Sequence, residues 1–200
     1  MKAIILNCTL KASPELSNTQ ALADEVIQAL REHDVDVGVH RVVDVHIPFG
    51  IQTDLGPTDE WPALHAEVSA SDIFVIATPT WLGQPSSVAK LVLERLNAMM
   101  TETHDDGTPV AFNKVAGVVV TGNEDGAHHV ISEVNGGLVD IGFTIPGQAW
   151  TYWNKGPGPG PSYTETDDGH DWARSTGRTM AANLVAVATA LRAHPLPSPG

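Results

Sequence analysis

The sequence predicts a doubly wound α/β fold, a five-stranded parallel sheet with helices on both faces, and three observations carry that prediction. Residues 2–7, 73–76 and 115–121 are apolar runs of strand length without a polar face, as strands covered on both sides are. Between them lie segments whose apolar residues recur at helical spacing. Each run ends in a stretch of glycine, proline or hydroxyl residues, the composition of a loop at the carboxyl edge of a sheet. Strands alternating with helices in this way imply parallel pairing.

In order, the first strand is Lys2-Ala3-Ile4-Ile5-Leu6-Asn7. A polar loop follows and runs into a helix that starts near Asn18. Ser17 and Gln20 have the spacing of a capping box, and Ala21, Leu22, Val26, Ile27 and Leu30 fall on one face. A second strand is expected over residues 35–43, where Val35, Val37 and Val39 alternate before Val42-Val43. Residues 44–58 contain Pro48, Gly50, Gly56 and Pro57 and read as a long connection, followed by a short helix from Glu60 to Ala70.

The third strand, Ile73-Phe74-Val75-Ile76, leads into Ala77-Thr78-Pro79-Thr80-Trp81-Leu82-Gly83-Gln84-Pro85-Ser86-Ser87 and then an amphipathic helix carrying Val88, Leu91, Val92, Leu96 and Met99. Asp105-Asp106-Gly107 marks a turn. The fourth strand, Val115 to Thr121, exits through Gly122-Asn123-Glu124-Asp125-Gly126 into a helix that runs to about residue 140. A fifth strand is expected at residues 143–149. Residues 151–169, rich in aromatic residues, glycine and proline and including Gly156-Pro157-Gly158-Pro159-Gly160-Pro161, read as an exposed loop. A final helix spans Asp171 to Arg192. The organisation expected is one domain over residues 1–194 and a flexible tail at 195–200.

With 24 acidic against 11 basic residues the formal charge is −13, which opposes binding to nucleic acid or to an acidic membrane surface. The single cysteine, Cys8, excludes an internal disulfide framework and a thiol metal cluster, so no metal site is expected. The first apolar run is too short for a signal peptide and no run approaches membrane-spanning length; a cytoplasmic protein is the expectation.

In a doubly wound sheet the loops after the first, third and fourth strands meet at the switch point, where ligands bind. Here those three loops have unusual content. The first brings Thr9, Ser13, Ser17, Asn18 and Thr19 to a helix start, whose unpaired N–H groups suit a phosphate; Lys11 adds one charge. The bland alternative is a capping serine with solvated neighbours. A Walker A sequence and a Gly-x-Gly-x-x-Gly after the first strand are both absent, which removes support for a nucleoside triphosphatase and for a Rossmann dehydrogenase. The third-strand loop combines two prolines, a glycine and an indole, suited to gripping a flat ring. Its alternative is an ordinary strand-to-helix turn in which Pro85 starts the helix.

Ser17-Asn18-Thr19, taken with Thr78-Pro79-Thr80-Trp81-Leu82-Gly83-Gln84-Pro85-Ser86-Ser87, resembles the flavodoxin-like NADPH-dependent FMN reductase family over roughly residues 2–145. The resemblance implies a flavodoxin-like sheet and FMN as cofactor. It places the phosphate on Thr9, Lys11, Ser17, Asn18 and Thr19. It lines the isoalloxazine with Pro79, Thr80, Trp81, Leu82 and Gly83, and flanks the ring's other end with Thr121, Gly122, Asn123 and Gly126. Family members commonly begin the first loop with Gly-Ser and carry an arginine there; this chain has Asn7-Cys8 and Lys11.

Cys8 has no neighbouring base and reads as a small semi-buried residue. His128 and His129 diverge by about 100° on a helix and cannot chelate together; capping or solvated roles are expected, with His128 facing the flavin edge as the alternative. Trp150, Tyr152 and Trp153 are read as core or dimer packing, with a roof over the flavin or nicotinamide as the alternative.

The function implied is an FMN-dependent oxidoreductase that takes hydride from NADPH or NADH onto flavin N5 and passes electrons to a small-molecule acceptor such as a quinone or a free flavin. A homodimer or homotetramer is expected, and no residue is named as catalytic, because the flavin carries the chemistry. The alternatives are a flavodoxin-type electron carrier without a nicotinamide site, and an interaction protein that has lost its flavin.

Overall fold

The computed structural model describes residues 1–156 and 160–198, so that Pro157, Gly158 and Pro159 of the Gly/Pro run, and the last two residues of the tail, lie outside the described residues. The elements are β1 (Lys2–Asn7), α1 (Asn18–Glu32), β2 (Asp36–Arg41), α2 (Trp61–Ala70), β3 (Ile73–Trp81), β4 (Gln84–Pro85), α3 (Ser87–Leu96), β5 (Val115–Gly122), α4 (Ala127–Ile141), β6 (Trp150–Asn154) and α5 (His170–Ala193). Five strands run parallel in the order β2-β1-β3-β5-β6. Counting parallel strands alone, that order is 2-1-3-4-5, the flavodoxin-like winding whose switch point lies between the first and third strands.

Burial on two faces explains the apolar runs. Ile4, Leu6, Phe74, Ile76, Ala116, Val118 and Val120 face α2, α3 and α4, while Ala3, Ile5, Ile73, Val75, Val115 and Val119 face α1 and α5. The three central strands are sealed from water, and their carboxyl ends lie side by side: Asn7 pairs with Ala77, and Pro79 with Thr121.

The sequence expectations need four corrections. The second strand stops at Arg41, because Val42–Asp44 turns into a 3-10 helix. The third-strand loop is largely strand: β3 continues to Trp81 and pairs antiparallel with β4, Thr80 with Pro85 and Trp81 with Gln84. Its turn is Leu82-Gly83 with φ of +53° and +73°, the left-handed pair of a tight hairpin. The last strand is Trp150–Asn154 rather than residues 143–149, which hold only a bridge from Thr144 to Val115. Phe143 is apolar because it packs on Phe74, with ring centroids 5.5 Å apart, and Ile145 because it touches the clusters on both faces of the sheet. The stretch read as an exposed loop therefore begins as strand and later buries Tyr163 in a 3-10 turn, Tyr163–Glu165.

The connection from β2 to α2 is held from within by Arg95 of α3, which is fully buried. Its guanidinium donates to the carbonyls of Pro48, Gln52 and Thr53 and to Asp59, the last at 2.6 Å. It also lies 5.7 Å over the Trp61 ring. Burial, the largest single influence on Asp59, pushes its carboxyl up, but the bonds from Arg95 and from the Trp61 and Leu55 N–H groups outweigh it and hold the pKa below the ordinary value. Beside this hub His65 is nearly sealed, 2.9 Å from Glu102.

Candidate functional site

The first loop is shaped by side chains that leave its helix amides free. Asn7 ends β1; its Oδ1 accepts the Thr9 N–H at 3.0 Å and its Nδ2 donates to Gln20 Oε1 at 2.9 Å. Ser17 Oγ accepts the Gln20 N–H at 3.1 Å, and Ser17 O accepts the Ala21 N–H. The expected capping box is thus half made: Gln20 sends its side chain to Asn7 and Asp24 instead of back to Ser17. The N–H groups of Asn18 and Thr19 have no acceptor among the described residues, so they present the positive end of α1 to whatever lies above them. The last residue of β2 and one from the turn after it brace the loop from outside. Arg41 donates to the carbonyls of Lys11 and Glu15, and the Asp44 carboxylate accepts from Ser13 N–H and Oγ–H, which holds it below the ordinary range.

The β3–β4 hairpin is tied down by Ser86, which donates to Cys8 O at 2.7 Å and exchanges bonds with the Thr78 hydroxyl. Thr80 is the exception: its hydroxyl is buried and has no partner among the described residues. A Cβ at Gly122 would lie 3.1 Å from Thr80 Cβ, so the glycine lets β5 close against this threonine. Thr121 reaches the other way, its hydroxyl 2.9 Å from that of Thr19, and so ties β5 to α1.

A third wall comes from beyond β6. Trp153 donates its indole N–H to Asp168 O at 2.6 Å and meets Tyr163 edge-on at 5.5 Å. Tyr163 stacks on His170 at 3.9 Å and 14°, and its burial pushes the phenol pKa up. The next residue, Thr164, donates both its N–H and its hydroxyl to Asn18 Oδ1, at 3.0 and 2.8 Å.

These walls enclose a cleft of about 200 Å³ at the carboxyl ends of β1, β3 and β5. Of the residues singled out in the sequence, Thr9, Lys11, Asn18 and Thr19 line it from the first loop. Pro79, Thr80 and Trp81 line it from β3, and Thr121, Gly122 and Asn123 from β5. Ser17 is buried under the helix start as its cap. Leu82 and Gly83 form the hairpin turn instead, with Leu82 90 % exposed, and Gly126 sits behind that turn, where a Cβ would meet Gly83 Cα at 2.9 Å.

Leu10, Ser162 and Tyr163, which were not singled out in the sequence, complete the lining together with Trp153, weighed there as packing with a roof over the flavin as the alternative. Ser162 and Tyr163 carry a legible signal: Ser162-Tyr163-Thr164-Glu165 is a capping box, with the Ser162 N–H donating to Glu165 Oε2 at 2.8 Å.

The other residues weighed fall outside the cleft. Cys8 is fully buried, and burial pushes its thiol far up, so it is no nucleophile at neutral pH. His128 packs edge-on against Trp150 and Tyr152 on the α4 face of β6, and His129 pairs with Gln84. The cleft lining contains no carboxylate and no imidazole among the described residues, so its side chains can bind and orient a group but offer no acid–base pair. No group of three or more potential metal ligands occurs among the described residues, and no described helix is long and apolar enough to cross a membrane.

Residues 1–157 match the NADPH-dependent FMN reductase family. The divalent metal cation transporter MntH of Mycobacterium bovis is 40 % identical over 200 residues, a match that covers 96 % of this chain and 29 % of the transporter, so the chain spans under a third of that relative. The 8-demethyl-8-aminoriboflavin-5′-phosphate synthase of Streptomyces davaonensis is 37 % identical over 205 residues, 98 % of this chain and 80 % of the synthase. Among solved structures, RosB with the bound intermediate 8-demethyl-8-formylriboflavin-5′-phosphate superposes with a TM-score of 0.90 at 36 % identity, covering 98 % of this chain and 82 % of RosB.

Proposed function

Because the chain belongs to the NADPH-dependent FMN reductase family, we propose that it binds FMN in the cleft and acts as an oxidoreductase that takes hydride from NADPH or NADH and delivers the electrons to a small acceptor, a quinone or a free flavin. The observation that carries this reading is the pair of unpaired amides at Asn18 and Thr19 facing a cleft whose far wall holds the partnerless Thr80 hydroxyl.

The donor set fits the group. A phosphate monoester needs several N–H and O–H donors and little net cation; the two amides, the Thr9 and Thr19 hydroxyls and the Lys11 ammonium supply them. A flat ring needs a wall without protruding side chains next to a hydrogen-bond donor, and Gly122 beside Thr80 provides it. When bound, FMN supplies the hydride and electron-transfer chemistry that the side chains lack. The protein's part is to hold the phosphate, set the ring's edge against Thr80 and the β5 loop, and leave one side accessible. A cleft of about 200 Å³ is smaller than ligand pockets of ~300–1,000 Å³, so part of the ligand stays outside for the nicotinamide and the acceptor. Trp81 and Leu82, more than half exposed on the neighbouring hairpin, suit contact with a second copy in a homodimer or homotetramer.

A second reading rests on the likeness to the synthase and to RosB at 36–37 % identity: the same cleft takes a riboflavin-5′-phosphate as substrate and alters it. One experiment separates the two. The purified protein is loaded with FMN, titrated without oxygen with NADPH and NADH, and the flavin is then recovered and weighed by mass spectrometry. Bleaching of the flavin at unchanged mass is the expected result. A changed mass means the flavin is the substrate, and bound flavin that neither nucleotide reduces means an electron carrier.

A further inference from the structure

The segment Ser162–Glu165 lies beyond the family match, which ends at residue 157, yet it closes one side of the cleft. It is held there by a contact across the whole chain. Thr164 donates two hydrogen bonds to Asn18, the first residue of α1, and both go to the same oxygen, Oδ1. A backbone N–H can only donate, so the atom it meets must be the carboxamide oxygen. The amide is therefore fixed in one of its two orientations, and its NH₂ is the half left for the cleft that Asn18 lines. Free of Thr164, the carboxamide would have to be turned and held by the anion itself, at a cost in binding.

We propose that Thr164 is a positioning residue for the phosphate of a flavin mononucleotide: it locks the Asn18 carboxamide with its NH₂ toward the cleft and holds Ser162 alongside as the wall of the phosphate end. The inference rests on the reading that FMN binds in this cleft. The local geometry is suited to the task. Ser162 spends its Oγ acceptor and its N–H on the capping box, which leaves the hydroxyl hydrogen free to donate. The neighbouring Tyr163 ring is anchored between Trp153 and His170, so Thr164 is presented from a rigid base. What is recognised is a terminal phosphate, and the lock should distinguish FMN from riboflavin.

The test measures dissociation constants for FMN and for riboflavin by flavin fluorescence in the full chain and in three variants. Thr164→Val keeps one of the two bonds to Oδ1. Asn18→Asp keeps the oxygen that accepts both Thr164 bonds, and an acidic residue in the first turn favours the helix, but it replaces the NH₂ by a carboxylate oxygen facing the phosphate. Ser162→Ala removes the wall hydroxyl. The expected result is FMN binding weakened more than tenfold in Asn18→Asp, several-fold in Ser162→Ala and least in Thr164→Val, whose backbone N–H still orients the carboxamide, with riboflavin binding unchanged in all three. Equal losses for both ligands would make the segment a structural brace and overturn the proposal, as would unchanged FMN binding. If the unmodified chain binds neither flavin, the reading of the cleft falls with it; if it binds FMN and the variants match it, the positioning role alone falls.

Discussion

Thr80 is the residue at which the demands of folding and of binding separate most clearly. A buried hydroxyl without a partner costs a folded protein about 1–3 kcal/mol, and nothing in the packing requires it, since valine has the same shape. Replacing Thr80 by valine should therefore leave the flavin-free protein as stable or raise it by about 1 kcal/mol, while weakening FMN binding. Denaturant midpoints and flavin affinity measured on one preparation check both halves, and a loss of stability without a loss of affinity would make Thr80 an ordinary core residue. His65 makes the complementary case at a site remote from the cleft. Burial lowers its pKa against the opposing pull of Glu102, so below about pH 6.5 the unfolded chain takes up a proton that the folded chain resists. Stability should fall as pH drops from 7 toward 5.5, and the fall should be shallower in His65→Gln when both are followed by urea unfolding. Identical slopes would mean that His65 titrates normally in the fold.

The β3–β4 hairpin is the element that sets the shape of the cleft, and its turn rests on Gly126. A side chain there would meet Gly83 Cα at 2.9 Å and would have to adopt a φ of +109°. Gly126→Ala should cost about 1–3 kcal/mol and displace the hairpin, lowering flavin affinity although Gly126 does not line the cleft. Unfolding midpoints and flavin titration measure the two effects. The sequence made the apolar strands and the amphipathic helices legible, because burial on two faces or one leaves a period that composition reveals. Strand β6 escaped for a physical reason. Trp150 and Tyr152 are half-buried on the α4 face and Thr151 and Trp153 buried on the α5 face, a real alternation, but with aromatic residues on both sides and a Gly/Pro run behind it looks like a loop. Phe143 and Ile145 mimicked a strand because they plug the base of the sheet. The Ser162 capping box was equally readable and was masked by the prolines around it.

Across the molecule, the site is carried by contacts that no local window contains. Asn18 and Thr164 are far apart in sequence, as are Thr19 and Thr121 and Ser86 and Cys8, and only the winding of the sheet brings them together. Residues on the three loops were legible as a group because the fold class fixes which strand ends meet; the wall from beyond β6 was not, because nothing in that class requires it. The same holds for Arg95, a charged residue of α3 that organises the β2–α2 connection from a fully buried position. Arg95→Met should cost about 3–5 kcal/mol by stranding Asp59 and three carbonyls, whereas Arg95→Lys should recover part of that by keeping the charge. Thermal unfolding of both variants checks the order. The central claim is that a flavin mononucleotide sits over the start of α1 with its phosphate on the amides of Asn18 and Thr19. Amide ¹H–¹⁵N spectra recorded during titration with FMN, and again with riboflavin, test it most directly. The Asn18 and Thr19 signals should move strongly with FMN and little with riboflavin, while signals of the β3–β4 hairpin move with both. Shifts that spare α1, or that are the same for the two ligands, would contradict it.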